Sequence, residues 1–205
     1  MVDRQVKSVA IFGHAGAPKD EDLYKDTFGV AKKLAEKGYI VVNGGGPGVM
    51  EAATMGAESV SGDTLTVTLE PRYAPNFEDK YLGNRPDREI ETHNYIERMF
   101  TLIAESDFFV VMNGGTGTLS EFATVWLLAW LYKGRHKGFV LYGDFWREIV
   151  EVLVKNMKIQ KGSVDIFEIV TSPEEVVNAI GRYENRMRDV ERNWKDDEEE
   201  AAFMV

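Results

Sequence analysis

The sequence DFFVVMNGGTGTLSE, residues 107–121, decides the fold class of this chain. Residues 108–112 are continuously apolar, which is typical of a strand buried on both faces of a sheet. Three glycines then permit a tight turn, and a helical pattern of apolar residues runs from about Leu119 to Tyr132. The segment therefore predicts a buried strand whose carboxyl end leads, through a glycine-rich turn, into the N-terminus of a helix.

The same succession occurs earlier in the chain. A strand is predicted over residues 39–42, followed by the sequence NGGGPGVME of residues 43–51 and a helix that ends near residue 60. Further short apolar runs alternate with helical patterns, at residues 8–12, 64–69, 138–142 and 166–170. This alternation predicts an α/β protein with a single Rossmann-like, doubly wound, mostly parallel sheet and helices on both faces. Ligands of such sheets bind at the carboxyl ends of strands, so both turns are expected to face one crevice.

Chain length sets the expected domain organisation. The 205 residues predict one domain over residues 1–190 and an acidic, solvated C-terminal tail over residues 191–205. Residues 70–89 contain three of the six prolines and predict a long irregular connection.

Composition excludes several classes of function. The 24 basic and 34 acidic residues give a net charge of −10, which argues against nucleic-acid and anionic-membrane partners. The chain has no cysteine, which excludes disulfides and thiol catalysis, and its three separated histidines predict no metal site. The sequence shows neither an apolar leader nor a membrane span, so a cytoplasmic protein is expected.

Both glycine turns have features that suit a phosphate. Glycines let the ligand approach the backbone, and a helix N-terminus offers unpaired N–H groups with a positive dipole end. The second turn adds the hydroxyls of Thr116, Thr118 and Ser120, and His14 follows Gly13 at the end of the first strand. Neither turn spells the dinucleotide fingerprint or a P-loop, and a tight turn without a ligand is the alternative interpretation of each.

Two charged residues and one histidine have competing interpretations. The spacing from Thr118 to Glu121 fits a capping box, so capping and catalysis are equally supported for Glu121. Arg98 lies among apolar neighbours, where it is either a surface arginine with a buried stem or a ligand for phosphate. For His93, spacing alone favours a structural role.

The helix over residues 119–132 carries aromatic residues at helical spacing. These are expected to belong to the core or to a subunit interface rather than to a base-stacking platform, and they are Phe122, Trp126 and Trp130. We therefore expect a homodimer formed through this helix.

Taken together, the segment GGGPGVMEAA of residues 44–53, Arg98 and the segment GGTGTLSE of residues 114–121 resemble the LOG family. Its members are nucleoside 5′-monophosphate phosphoribohydrolases, so the resemblance implies hydrolysis of an AMP-like purine nucleotide to free base and ribose 5-phosphate. It implies no cofactor and a catalytic role for Glu121 and Arg98. It also implies substrate contacts by Gly13, His14, Gly44, Gly45, Gly46, Gly48, Glu51, His93, Gly114, Gly115, Thr116, Gly117, Thr118 and Ser120.

Three positions depart from the family pattern, and one of them is Tyr73, which follows Pro71 and Arg72 where the family has an acidic residue. Asn113 stands where the family has proline, and Met99 stands where it has the lysine that follows the arginine. A non-catalytic protein that binds a nucleotide or the molybdenum cofactor is therefore a second interpretation. A structural or interaction protein with a vestigial cleft is the third.

Overall fold

A computed structural model describes residues 6–70, 81–133 and 135–203, with side chains described as far as residue 190. In these residues, one parallel sheet of seven strands has the order β4-β3-β2-β1-β5-β6-β7. The strands are β1 (Ser8–Phe12), β2 (Ile40–Asn43), β3 (Thr64–Leu69), β4 (Arg88–Thr92), β5 (Phe108–Val111), β6 (Gly138–Tyr142) and β7 (Glu168–Val170). The predicted Rossmann-like α/β fold is confirmed.

The described residues form six helices, of which the first five lie between strands and the sixth follows β7. They are α1 (Asp22–Glu36), α2 (Val49–Glu58), α3 (Tyr95–Ala104), α4 (Thr116–Leu131), α5 (Phe145–Asn156) and α6 (Pro173–Phe203), with a short 3-10 helix at Ser163–Ile166. The strand order reverses between β1 and β5, which pair in register from Val9 with Phe108 to Phe12 with Val111. Both glycine turns follow strands close to this switch point, where such sheets bind ligands.

The core has two halves because β1 is buried on both faces. Val9 and Ile11 pack with α1, α2 and α6 on one side, while Ala10 and Phe12 pack with α3, α4 and α5 on the other. The predicted core role of two α4 aromatics is confirmed, since the rings of Phe122 and Trp126 are buried and stack 5.1 Å apart. Alternation of side-chain direction along one apolar strand thus supplies both layers.

Two segments differ from the sequence-based expectation. The predicted irregular connection ends in β4, an edge strand whose sequence REIET pairs in parallel with β3. Its solvent-facing charges hide the apolar pattern that marks the other strands. Residues 71–80 of that connection lie outside the described residues. Beyond residue 190, the backbone continues α6 to Phe203 where a frayed tail is expected.

Candidate functional site

A cleft of about 550 Å³ opens at the carboxyl ends of β1, β2 and β5. Its size lies within the range of small-molecule sites. Ten of the sequence-predicted site residues line it: Gly13, His14, Gly44, Arg98, Gly115, Thr116, Gly117, Thr118, Ser120 and Glu121. Residues from three strand ends and two helices therefore meet at one place.

The second glycine turn leaves its backbone donors open. α4 begins at Thr116 after the N-cap residue Gly115, and its first intrahelical bond runs from the N–H of Leu119 to the carbonyl of Gly115. The N–H groups of Gly115, Thr116 and Gly117 donate to no described residue. These donors and the helix dipole form a site suited to an anion such as phosphate.

In the first glycine turn, in contrast, three backbone N–H groups already donate to neighbouring atoms. The N–H of Gly45 donates to Asn43 Oδ1 at 2.8 Å, and the N–H of Val49 donates to the carbonyl of His14 at 3.0 Å. Gly46 donates to the sulfur of Met50 at 3.4 Å. Among the predicted residues of this turn, only Gly44 lines the cleft, while Gly45, Gly46 and Gly48 do not. This turn therefore has a mainly structural geometry.

Two buried asparagines, Asn43 and Asn84, hold the first glycine turn in place through hydrogen bonds. Asn43 Nδ2 donates to Thr54 Oγ1 at 2.8 Å, while Asn84 Nδ2 donates to the carbonyl of Gly46 at 3.2 Å. The backbone N–H of Tyr81 also donates to the carbonyl of Gly45. The C-terminal part of the long connection is thus bonded directly to the glycine turn, a contact that no sequence pattern indicates.

Glu121 is a buried carboxylate in the second turn of α4. Its exposed fraction is 8%, it lines the cleft, and no described residue donates a hydrogen bond to it. Burial raises its pKa to about 7, although the nearby Arg98 charge acts in the opposite direction. The capping-box interpretation is wrong, because the N-cap of α4 is Gly115 and Thr118 already lies inside the helix.

Arg98 is a fixed cation at the cleft wall. Its exposed fraction is 4%, and its Nε donates to the carbonyl of Val67 at 2.9 Å. Its Nη2 donates to the carbonyl of Gly44 at 2.9 Å, which ties α3 to the ends of β2 and β3. The interpretation as a surface arginine is therefore wrong. A Cβ at Gly44 would overlap the guanidinium, so glycine is needed there for close approach.

Besides Gly45, Gly46 and Gly48, three further predicted site residues lie outside the cleft lining. Glu51 is buried in the first turn of α2, where its Oε1 lies 2.8 Å from Lys19 Nζ. His93 is exposed, with its Nδ1 3.3 Å from Glu97 Oε2. Gly114 packs under the cleft, since a Cβ there would overlap the Thr118 hydroxyl. Each of them supports neighbouring structure in the geometry described.

Five residues that line the cleft are not among the site residues predicted from the sequence: Ile11, Phe12, Ala15, Met50 and Tyr95. A signal exists for Tyr95, which precedes Arg98 by three residues and so shares its helix face. Met50 lies within the first motif, where its sulfur approaches Arg98 Nη2 at 3.6 Å.

Within the described part of the chain, no group of three or more potential metal-ligating His, Asp or Glu side chains occurs. None of the described helices combines the length and apolar character that crossing a bilayer requires. Among the described residues that line the cleft, the charged side chains are those of Arg98 and Glu121, and the imidazole of His14 also lines it.

Comparison with known families gives the chain its classification. The model of the SLOG cluster4 family matches residues 6–176. The chain belongs to the SLOG cluster4 family. That match covers both glycine turns, Arg98 and Glu121, and it supports the LOG resemblance at the level of the wider SLOG and LOG-like superfamily.

One protein relative and two solved structures extend this classification. An uncharacterized protein of Archaeoglobus fulgidus is 36% identical over 104 residues, which are 51% of this SLOG cluster4 chain and 64% of that protein. The molybdenum cofactor binding protein of Rippkaea orientalis has a TM-score of 0.63 and 22% identity, with 86% of this chain and 94% of that chain covered. DNA processing protein A of Helicobacter pylori has a TM-score of 0.51 and 20% identity over 72% and 73% of the two chains. The two structures share the fold of the SLOG cluster4 chain.

Proposed function

We propose that this protein hydrolyses the N-glycosidic bond of a purine nucleoside 5′-monophosphate, releasing free base and ribose 5-phosphate. The observation that carries the proposal is Glu121, a carboxylate that is nine-tenths buried, accepts no hydrogen bond from any described residue, and lies in a cleft with open anion-binding donors. Leaving such a group without a hydrogen bond destabilises the fold, so its retention favours a role in chemistry.

The first turn of α4 would hold the 5′-phosphate. The open N–H groups of Gly115, Thr116 and Gly117 and the hydroxyl of Thr116 all belong to the turn that lines the cleft. Glu121 lies five residues beyond Thr116, or roughly 7 Å further along the helix axis. This separation keeps the carboxylate away from the phosphate and leaves room for the ribose between them.

Glu121 would act on the anomeric carbon. Cleavage of an N-glycosidic bond develops positive charge on the ribose, as in other oxocarbenium-like transition states. An ionised carboxylate beside that carbon stabilises the charge and takes a proton from the attacking water, whose oxygen bonds to the anomeric carbon as the bond to the base breaks. The departing base takes up a proton from solvent, and Glu121 returns its proton to solvent. A pKa of about 7 lets Glu121 accept that proton near neutral pH.

Arg98 would provide a positive charge at a fixed position relative to the substrate and Glu121. Its guanidinium is anchored by the carbonyls of Val67 and Gly44, so its charge has one position relative to the ligand and to Glu121. Such preorganised charge requires no rearrangement during the reaction.

The test is incubation of the purified protein with AMP, GMP, IMP, CMP and UMP, each followed by chromatography for free base and ribose 5-phosphate. We expect both products from a purine nucleotide in equal amounts. No product from any of the five nucleotides would contradict the proposal.

A second candidate function is favoured by Met99. This buried side chain replaces the family's lysine, and its sulfur accepts hydrogen bonds from the hydroxyls of Ser120 and Thr124. Among the described residues, no lysine lines the cleft, which fits a protein that holds a phosphorylated ligand without turnover. The molybdenum cofactor, which the Rippkaea protein binds, is one such ligand. A ligand-dependent rise in melting temperature without base release would favour this function.

The proposed partners are a small-molecule nucleotide and a second copy of this chain. Exposed apolar side chains at helical spacing occur on α3 (Ile96 and Phe100) and on α4 (Leu127 and Leu131). Light scattering should give the mass of a dimer for the wild type and a smaller mass for Leu127→Glu. The proposed absence of nucleic-acid binding is tested by titrating a labelled single-stranded oligonucleotide, with no binding expected.

A further inference from the structure

Tyr95 is a cleft residue without a role in the proposed reaction. It is the first residue of α3, one helical turn before Arg98, and both side chains line the cleft. Its hydroxyl lies 3.4 Å from the carbonyl oxygen of Gly117 in the first turn of α4. A Cβ placed on Gly117 would lie 3.8 Å from the same hydroxyl. Tyr95 therefore brings a polar group from α3 to the open end of α4.

Two independent observations indicate that this end of α4 is suited to bind a ligand. The N–H groups of Gly115, Thr116 and Gly117 donate to no described residue. One turn further along the same helix, Glu121 is nine-tenths buried, unpaired among the described residues, and part of the same cleft lining. A phosphate on the α4 donors would therefore lie beside the Tyr95 hydroxyl.

The chemistry of the hydroxyl favours exchange of partners. A tyrosine hydroxyl has one proton to donate, and its contact with the Gly117 carbonyl is long for an O–H···O bond, which is usually 2.5–3.0 Å. A phosphate oxygen carries negative charge and is a stronger acceptor than a neutral carbonyl. Rotation of the C–O bond alone redirects the proton.

We propose that the Tyr95 hydroxyl donates to the 5′-phosphate held by the first turn of α4, and so selects phosphorylated ligands over free nucleosides. This inference rests on the proposed function, because it assigns one more contact to the same substrate. The Tyr95 hydroxyl is assigned a contact with the phosphate alone, whereas the base and the ribose are bound by other residues.

The test compares Tyr95→Phe with its parent in a Glu121→Gln background, which prevents turnover during titration. Calorimetry gives Kd values for AMP, ribose 5-phosphate and adenosine. We expect Tyr95→Phe to raise the Kd values of AMP and ribose 5-phosphate at least about tenfold and to leave the Kd of adenosine unchanged. A tenfold change corresponds to the loss of one hydrogen bond to a charged group. Tyr132→Phe is the matched control, because Tyr132 is exposed and does not line the cleft.

Each alternative result has a distinct meaning. Equal weakening of all three ligands, or no weakening of any, would overturn the role of the hydroxyl while leaving the proposed function intact. A parent that binds none of the three ligands would overturn the proposed function and this inference together. A merely structural Tyr95 would lower the melting temperature of Tyr95→Phe without changing the ratio of AMP to adenosine affinity.

Discussion

Replacing Glu121 with glutamine should stabilise the folded protein at alkaline pH. Glu121 has a folded-state pKa of about 7 against an ordinary value of 4.5, because burial penalises its charged form. Between these two values the unfolded chain loses this proton while the folded chain keeps it. The stability of the wild type therefore falls as pH rises from about 4.5 to about 7, and the loss is complete above that range.

The size of the effect follows from the same two pKa values. Each pKa unit corresponds to about 1.4 kcal/mol, so ionised Glu121 lowers the free energy of unfolding by about 3 kcal/mol at pH 8. Glutamine has a similar shape and does not ionise. For a chain of this size, the melting temperature of Glu121→Gln should exceed that of the wild type by about 6–12 °C at pH 8. At pH 5 the two proteins should melt within about 2 °C of one another.

The assay is thermal unfolding followed by circular dichroism at pH 5 and pH 8. The matched control is Glu51→Gln, which removes another buried carboxylate but one that is paired with Lys19 at 2.8 Å. That variant should melt at or below the wild-type temperature at pH 8. A difference for Glu121→Gln that is the same at both pH values would refute the reasoning, as would an equal gain from Glu51→Gln.

Three further predictions concern binding, activity and stability. Gly44→Ala should displace the Arg98 guanidinium, because the new methyl group would overlap it, and should weaken AMP binding at least about tenfold by calorimetry while the protein stays folded. Base release should increase tenfold per pH unit below about pH 7 and level off above it, because the ionised form of Glu121 is the active one; a profile that falls through this range would contradict that assignment. Gly181→Ala in α6 should raise the free energy of unfolding by about 0.5–1 kcal/mol in urea titrations, since the methyl group enters open space on a helix.

The strands and helices next to the site could be predicted because their patterns are local. The apolar run of β5 and the glycines after it indicate a strand, a turn and a helix before any contact is known. β4 could not be predicted in the same way, because its sequence REIET has mostly exposed side chains and its pairing with β3 is a long-range contact.

The two glycine turns show where sequence reasoning about the site reaches its limit. Both have the composition of a phosphate loop, but Gly45, Gly46 and Val49 of the first turn donate to described groups, whereas Gly115, Thr116 and Gly117 of the second turn do not. The difference depends on Asn43, Met50 and the carbonyl of His14, which occupy the donors of the first turn. Contacts of this kind depend on packing, which residue spacing does not encode.

For Arg98 and Glu121, in contrast, the structure favours a functional role that the sequence left open. Their sequence context left structural and functional interpretations open, and burial decides between them. An arginine bonded to two carbonyls and a carboxylate with no donor are both arrangements that a solvated surface would not produce. The structure thus removes the surface and capping interpretations and leaves the chemical one for testing.

The most direct test of the proposed reaction pairs turnover with binding in one variant. Base release from the best-hydrolysed nucleotide is measured for the wild type and Glu121→Gln, and the Kd of that nucleotide is measured for Glu121→Gln. The account predicts that kcat falls about 10²- to 10⁴-fold while Kd stays within about threefold of the wild-type KM. Unchanged turnover by Glu121→Gln would contradict the central claim that this buried carboxylate performs the chemistry.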